Sequence, residues 1–388
     1  MITVSEALER LFALARPTGT EEVPLAQAGG RVLARPVAAR RTQPPFDASA
    51  MDGYAMVSAR PGDRFSVIGT AAAGRGFEGT VGPGQAVRIF TGAPVPAGAA
   101  HVVIQEDVTR DGDTITVTEG LGEGDNIRPA GNDFAAGDSL SAPRVLSPYD
   151  IALLAAMNID CVPVAIRPKV ALIATGDELV MPGETPGPDQ IVASNTFGLA
   201  AMLRALGAEP RLLPIARDTV ASLKAAFALA AGADLIVTVG GASVGDHDLV
   251  ATVAAELEMQ TAFHKVAMRP GKPLMSGRLG PAMMLGLPGN PVSAMVCGHV
   301  FMAPVIRVML GLPAAPAPRL SAPLAEPLEA NGPREHYMRA VLGPDGLRAA
   351  ARQDSSLLSV LSQSSVLIAR AAGDGPRAAG EQVDYLPL

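Results

Sequence analysis

Cysteine is nearly missing from this chain. Cys161 and Cys297 are the two in 388 residues, which excludes a disulfide framework and any cysteine-based zinc site. Tryptophan is absent and aromatic residues make up 4%, so a nucleic-acid binder that works by stacking bases has little to build from. Basic charge is in deficit, with 31 Lys and Arg against 38 Asp and Glu and a net charge of −7. That argues against a general polyanion binder and leaves an anionic substrate in need of a local basic site. The five histidines form no metal motif, and no serine nucleophile elbow appears. The opening MITVSEALER is acidic and has no apolar core, so no signal peptide is expected. A long uninterrupted apolar run is also lacking. The stretch 279–306 carries no charged residue other than His299, but Gly280, Pro281, Gly286, Pro288, Gly289 and Pro291 break its first half. The remainder, 292–306, contains Pro304 and falls short of the roughly 20 residues of a membrane span. It predicts a buried helix in a soluble protein with no membrane partner.

What is present is apolar and rich in turns. Hydrophobic residues are 48% and charged residues 18%, enough to bury a core, and the length suggests two to four domains. Residues 4–16 read as a helix opened by a Thr3/Glu6 capping box, and 147–159 as a helix capped by Ser147 with Pro148 at its first position. Between them, short apolar runs (RFSVIGTA, QAVRIFTG, HVVIQEDV, TITVTEG) alternate with Gly and Pro, the texture of a β-rich domain. From 168 to about 312 strands and helices alternate: KVALIAT, SNTFGLAAMLRALG, RLLPIA, TVASLKAAFALAAG capped by Asp218, DLIVTV, a helix from Asp248, AMMLGL, and a last helix opened by Asn290-Pro291. That rhythm predicts a parallel sheet covered on both faces. A Pro/Ala-rich linker at 310–327 leads to short strand signals expected to form a small β-barrel or sandwich. The expected division is 1–38 with 144–167 as a discontinuous helical domain, 39–143 as a β-rich insertion, 168–312 as a three-layer α/β domain, and 313–388 as linker and C-terminal domain.

In an open parallel sheet, ligands bind beyond the carboxyl ends of the strands. Three apolar strands here run into loops of glycine, proline and carboxylate: KVALIATGDEL, DLIVTVGGASVGDHD and AMMLGLPGNP. Thr175, Gly176, Asp177, Glu178, Gly240, Gly241, Ser243, Gly245, Asp246, Asp248, Pro288, Gly289 and Asn290 should therefore meet at one edge. The glycines let backbone N–H groups approach an anion, and the helix start at Asn290-Pro291 adds a favourable field. Carboxylates repel an anion unless a cation intervenes. Asp177, Glu178, Asp246 and Asp248, with Asp218 nearby, offer oxygen ligands for Mg²⁺; the plainer alternative is that Asp177 and Asp218 cap helices and Asp246 and Asp248 decorate a turn. HKVAMRPGKP places Lys265, Arg269 and Lys272 around a Pro-Gly turn, a cluster suited to phosphate or another oxyanion. The G-x-G-x-x-G at Gly74, Gly76 and Gly79 has no helix signal after it and is rejected as a dinucleotide motif.

Six segments in order, PPFDASAMDGYAM, RIFTGAPVPAGA, IATGDELVMPG, GGASVGDHD, AMRPGKPLMSG and LGLPGNPVSAM, resemble the motifs of molybdopterin molybdenumtransferases, the MoeA family, which is similar to the gephyrin E domain. The resemblance covers essentially the whole chain and implies four parts: a discontinuous helical domain, a β insertion, a molybdopterin-binding α/β domain and a C-terminal β-barrel. It implies a cytoplasmic homodimer, with each site lying between the α/β domain of one subunit and the insertion of the other. The implied reaction takes adenylated molybdopterin and molybdate, hydrolyses the phosphoanhydride with Mg²⁺, releases AMP and inserts molybdenum. The molybdopterin adenylyltransferase would be a further partner. Positions matching the family are Asp52, Thr91 and Asp133 in the insertion and Glu178, Asp218, Asp248, Lys265, Arg269, Lys272, Pro288 and Pro291 in the α/β domain. Arg334 or Arg339, and Ser355 or Ser356, match as molybdate contacts. Arg269 stands where some members have Lys, His101 where many have Asp, and Asn132 where Glu is common. The alternatives are an adenylyltransferase of the same fold, a tungstate-inserting paralogue and a non-catalytic scaffold.

Overall fold

The structure, a computed structural model, describes residues 1–241 and 249–388. Contacts divide the chain into two compact units: Glu22–Pro163, and Met1–Glu21 together with Val164–Leu388.

In the first of these, a six-stranded sheet runs in the order His101–Ile104, Gly53–Met56, Gln85–Ile89, Arg64–Ala71, Thr114–Val117, Val108–Asp111. Apolar side chains from its two faces feed two separate clusters, one around Tyr54, Met56, Phe65 and Ile115, the other around Val81, Val87, Ile89 and Val102. Helix Pro148–Ala156 starts as its sequence demands, with Ser147 and Asp150 forming a reciprocal capping box and proline in the first turn. The helical reading of the flanks missed short strands: Thr20–Pro24, Cys161–Ala165, Val32–Leu33 and Arg144–Val145 make a four-stranded sheet. Two-residue strands carry no readable period, which is why pattern alone does not find them.

The larger unit is built on a second six-stranded sheet, ordered Glu209–Leu212, Lys169–Ala174, Leu235–Val239, Ala282–Leu287, Met275–Leu279, Gln260–His264. The first four strands are parallel, as their unbroken apolar runs require. The last two are antiparallel and were not anticipated, because MSGRL alternates too weakly to read as a strand. Helix Val4–Leu14, with the expected Thr3/Glu6 box, buries Val4, Ala7, Leu8 and Leu11 in this unit, and its partners include Ala262, whose carbonyl accepts from Arg10 at 2.8 Å. The helices at 4–14 and 148–156 thus group with different units.

The last helix is longer than expected. It runs unbroken over Pro291–Met309, 19 residues, apolar enough to cross a membrane by length and composition, yet 78% of that window is buried inside the protein. Pro304 does not end it. The chain instead widens into a π-turn over Gly298–Met302, with the Ala303 N–H donating to the Gly298 carbonyl, which absorbs the donor that proline lacks. The C-terminal strands form one sheet in which 320–323 pairs 382–387, then 366–370, 335–343 and 346–349. A bridge between Leu324 and Leu347 closes it back on itself as the expected barrel.

Candidate active site at the strand ends

The carboxyl ends of the parallel strands surround a cavity of about 570 Å³. Its wall includes Gly176, Glu178, Asp218, Gly240, Gly241, Pro288, Gly289, Asn290, Pro291 and Ser356, with Leu179, Ile191, Val192 and Pro273 as apolar surface. Most of the residues expected at one edge are therefore brought together. Ser243, Gly245, Asp246 and Asp248 lie outside the described residues.

Two glycines are required by geometry. Gly176 has φ +146°, and a Cβ there would stand 2.4 Å from a Glu178 carboxylate oxygen. Gly240 has φ +98°, and its Cβ would stand 2.6 Å from the Thr175 carbonyl oxygen. Both values belong to backbone that L side chains rarely adopt. Thr175 is buried, and its hydroxyl has no hydrogen-bond partner among the described residues.

Three carboxylates meet here. The Asp218 N–H donates to Asp177 Oδ1 at 3.1 Å. Burial, then the charges of Asp177 and Glu178, push the Asp218 carboxyl above its ordinary range. The expected capping role of Asp218 is corrected: Thr219 is the N-cap of helix Val220–Leu229, its side chain accepting from the Ser222 N–H. Arg217 went unnoticed in the sequence. Its Nη1 donates to the carbonyls of Asp177 at 2.9 Å and Leu179 at 3.0 Å, pinning the loop that carries Glu178. Its position directly before Asp218 was the available signal. Among the described residues no three His, Cys, Asp or Glu side chains form a ready metal cage. A repelling pair or triplet of carboxylates suits Mg²⁺ nonetheless, since that ion takes one or two carboxylates and completes its shell with substrate oxygens and water.

Of the basic loop, Pro273 lines the cavity, while Lys265, Arg269 and Lys272 are not among its lining residues. Lys265 holds φ +75°, fixed by backbone bonds from its N–H to Leu274 and from the Ile2 N–H to its carbonyl. Met268–Arg269 adds as a parallel strand to Glu335–Gly343, setting Arg269 beside His336, while His336 pairs with Arg370 on the other side. Arg334 donates to the Met268 carbonyl at 3.4 Å. Arg339 is wholly buried, donates through Nη2 to the Asp354 carbonyl at 3.0 Å, and leaves Nε and Nη1 without a partner among the described residues. Burial and the neighbouring Arg269 lower its pKa. His336, which sequence reading passed over although it lies between Arg334 and Arg339, is 7% exposed with Nε2 unpartnered among the described residues. Burial, then Arg269, Arg339, Arg370 and Arg334, push its pKa down to about 4. Of the two serines, Ser355 accepts at Oγ from the Asn290 amide at 3.1 Å. Ser356 turns its hydroxyl onto Asp354 Oδ1 at 2.6 Å and is the one lining the cavity.

In the smaller unit Asp52 Oδ1 accepts from both the N–H and the hydroxyl of Thr91, at 2.7 and 2.8 Å. The Asp133 N–H donates to the Gln43 carbonyl at 3.0 Å.

A carboxylate-lined crevice lies at the parallel strand ends, and the same unit buries Arg339 and Arg370. Three family descriptions match in succession: the MoeA N-terminal region (domain I and II) over 2–158, a probable molybdopterin-binding domain over 171–308, and the MoeA C-terminal region (domain IV) over 321–388. The chain is 37% identical over 387 residues to the molybdopterin molybdenumtransferase of a Nostoc species, covering 95% of this chain and 89% of that one. It is 38% identical to the Haemophilus influenzae molybdopterin molybdenumtransferase over 80% of this chain and 78% of that one. A crystal structure of the molybdopterin biosynthesis MoeA protein from Pyrococcus horikoshii superposes with a TM-score of 0.87 at 27% identity, covering all of both chains. The chain belongs to the MoeA family of molybdopterin molybdenumtransferases, enzymes of molybdenum cofactor biosynthesis.

Proposed function

We propose that this enzyme inserts molybdenum from molybdate into adenylated molybdopterin, with Mg²⁺-dependent hydrolysis of the phosphoanhydride and release of AMP. The observation that carries this reading is the pairing, within one unit, of a carboxylate-lined cavity with a buried arginine that has two donors without a partner among the described residues. The first suits a cation-bound phosphoanhydride and the second an oxyanion. Glu178 and Asp218 would hold the Mg²⁺, which when bound would neutralise charge developing on the phosphoanhydride oxygens. The apolar wall of Leu179, Ile191, Val192 and the prolines would take the pterin. Arg269, Lys272 and Arg339, with Ser355 or Ser356 at the adjoining turn, would receive molybdate. Asp52 and Thr91 would serve the same reaction. The resemblance supports a cytoplasmic homodimer supplied by the molybdopterin adenylyltransferase.

The test is to incubate the protein with adenylated molybdopterin, Mg²⁺ and molybdate and to follow AMP release. Release that stops on chelation and in Glu178→Gln is expected. Substituting tungstate for molybdate tells the two oxyanion preferences apart, and no release with either would refute the reading.

A further inference from the structure

The Asp52–Thr91 pair sits in a frame centred on Arg88. Arg88 lies in strand Gln85–Ile89 directly opposite Tyr54 of strand Gly53–Met56, and Phe90 follows two residues later on the same side. The guanidinium carbon is 5.0 Å from the centre of the Tyr54 ring and 4.9 Å from that of Phe90. A planar guanidinium stacks well against such rings, and the contact restricts its orientation. Nη1 donates to the Gly53 carbonyl at 3.2 Å and Nη2 to Gln105 Oε1 at 2.5 Å. Gln105 in turn donates its backbone N–H to the Asp52 carbonyl at 3.0 Å. One side chain therefore ties together the residue after Asp52, the residue that holds the Asp52 backbone, and the strand from which Thr91 emerges.

We propose that Arg88 is a positioning residue for the Asp52–Thr91 pair: it cross-links the two strand ends from which they project and keeps a positive charge beside the Asp52 carboxylate. The inference rests on Asp52 and Thr91 serving the reaction proposed above. Thr91's backbone and side-chain hydrogen bonds, with a smaller contribution from Arg88, hold the Asp52 carboxyl below its usual range against the opposing effect of desolvation. Tyr54 is 4% exposed, so the arginine stacks on a ring that is itself fixed in a core cluster.

The experiment uses the full chain and two independent readouts. Arg88→Leu keeps apolar bulk between the rings and removes the charge and the donors. Titration of the Asp52 side-chain carbon by NMR, without substrate, should show its pKa moving up in this variant, and Arg88→Lys should restore most of the wild-type titration. In the AMP-release assay Arg88→Leu should lower kcat about tenfold with little change in KM, the signature of misplaced reacting groups. A purely structural role would lower the melting temperature and leave the Asp52 titration where it was. Either an unmoved titration or an unmoved kcat in a folded Arg88→Leu overturns the proposal. If that variant does not fold, Arg88→Gln, which keeps amide donors and loses the charge, gives the same reading. An inactive wild type would overturn the reaction and not this placement, which the titration still decides.

Discussion

The larger unit gathers like charges in two places and leaves them in opposite conditions. At the strand ends Glu178 and Asp218 line a cavity with Asp177 beside Asp218, and burial together with the charges of Asp177 and Glu178 raises the pKa of Asp218. Along the C-terminal sheet Arg269, His336 and Arg370 stand in one row across three strands, with Arg339 buried nearby. There the cost is shared unequally. Arg370 is fully engaged, bonded to Asp374 and to the carbonyls of Glu329 and Gly375, whereas Arg339 keeps two donors without a partner among the described residues and His336 gives up its charge. Arg370 therefore belongs to the scaffold, and Arg339 is the arginine that the proposed function assigns to the oxyanion. A cluster of like charges that the protein does not neutralise itself is a place where a ligand of opposite sign gains binding free energy.

The largest effect that would break this comparison comes from Arg339. Arg339→Met fills the same space without charge, and losing a charge-assisted contact to an oxyanion should weaken molybdate binding by about 10- to 150-fold, on the order of 1.5–3 kcal/mol. Calorimetry with molybdate checks it, and unchanged affinity would return Arg339 to the scaffold alongside Arg370.

His336 gives the next effect. Its folded pKa is about 4 against an ordinary 6.5, so between those values the unfolded chain binds the proton more readily. Stability is complete above about pH 6.5 and falls as pH drops towards 4. A shift of this size is worth at most about 3 kcal/mol. Denaturant unfolding of the wild type and of His336→Phe at pH 7, 5 and 4 should show a shallower loss in the variant.

Asp218 tests the acidic side with the opposite sign. A carboxylate whose folded pKa is raised costs stability at neutral pH, and the cost disappears as pH falls through that pKa. Asp218→Asn should raise the melting temperature at pH 7 in the absence of Mg²⁺ and lose whatever stabilisation Mg²⁺ gives the wild type. A variant that melts lower and still responds to Mg²⁺ would remove Asp218 from the cation site.

Arg217 should give the smallest change. Arg217→Ala frees the Asp177 and Leu179 carbonyls and should weaken Mg²⁺ binding several-fold, by about 1 kcal/mol. Wild-type Mg²⁺ affinity by calorimetry would show that the loop holds its shape without the clamp.

The strand ends were legible because each used a local signal: an apolar run, then glycines whose positive φ at Gly176 and Gly240 the geometry demands. The arginine row was not, because it depends on Met268–Arg269 leaving the α/β domain's own sheet to pair with Glu335–Gly343, a contact across 67 residues that no periodicity announces. Asp218 was placed correctly at the edge and misjudged as a cap, since Asp and Thr in succession are both good caps and only the observed bond to Ser222 tells them apart. The flanking four-stranded sheet escaped for the same reason as the arginine row, its pairs being short and distant in sequence.

By itself the sequence determined the alternation of strands and helices, the capping boxes at Thr3 and Ser147, the glycine loops and the order of motifs that mark the family. All of these are written within a few residues of one another. Only the tertiary structure decided which of several similar charges are satisfied and which are not. Arg334, Arg339 and Arg370 are equal as letters, and what separates them is burial and the supply of carbonyl and carboxylate partners, both set by strands that meet only when the chain has folded.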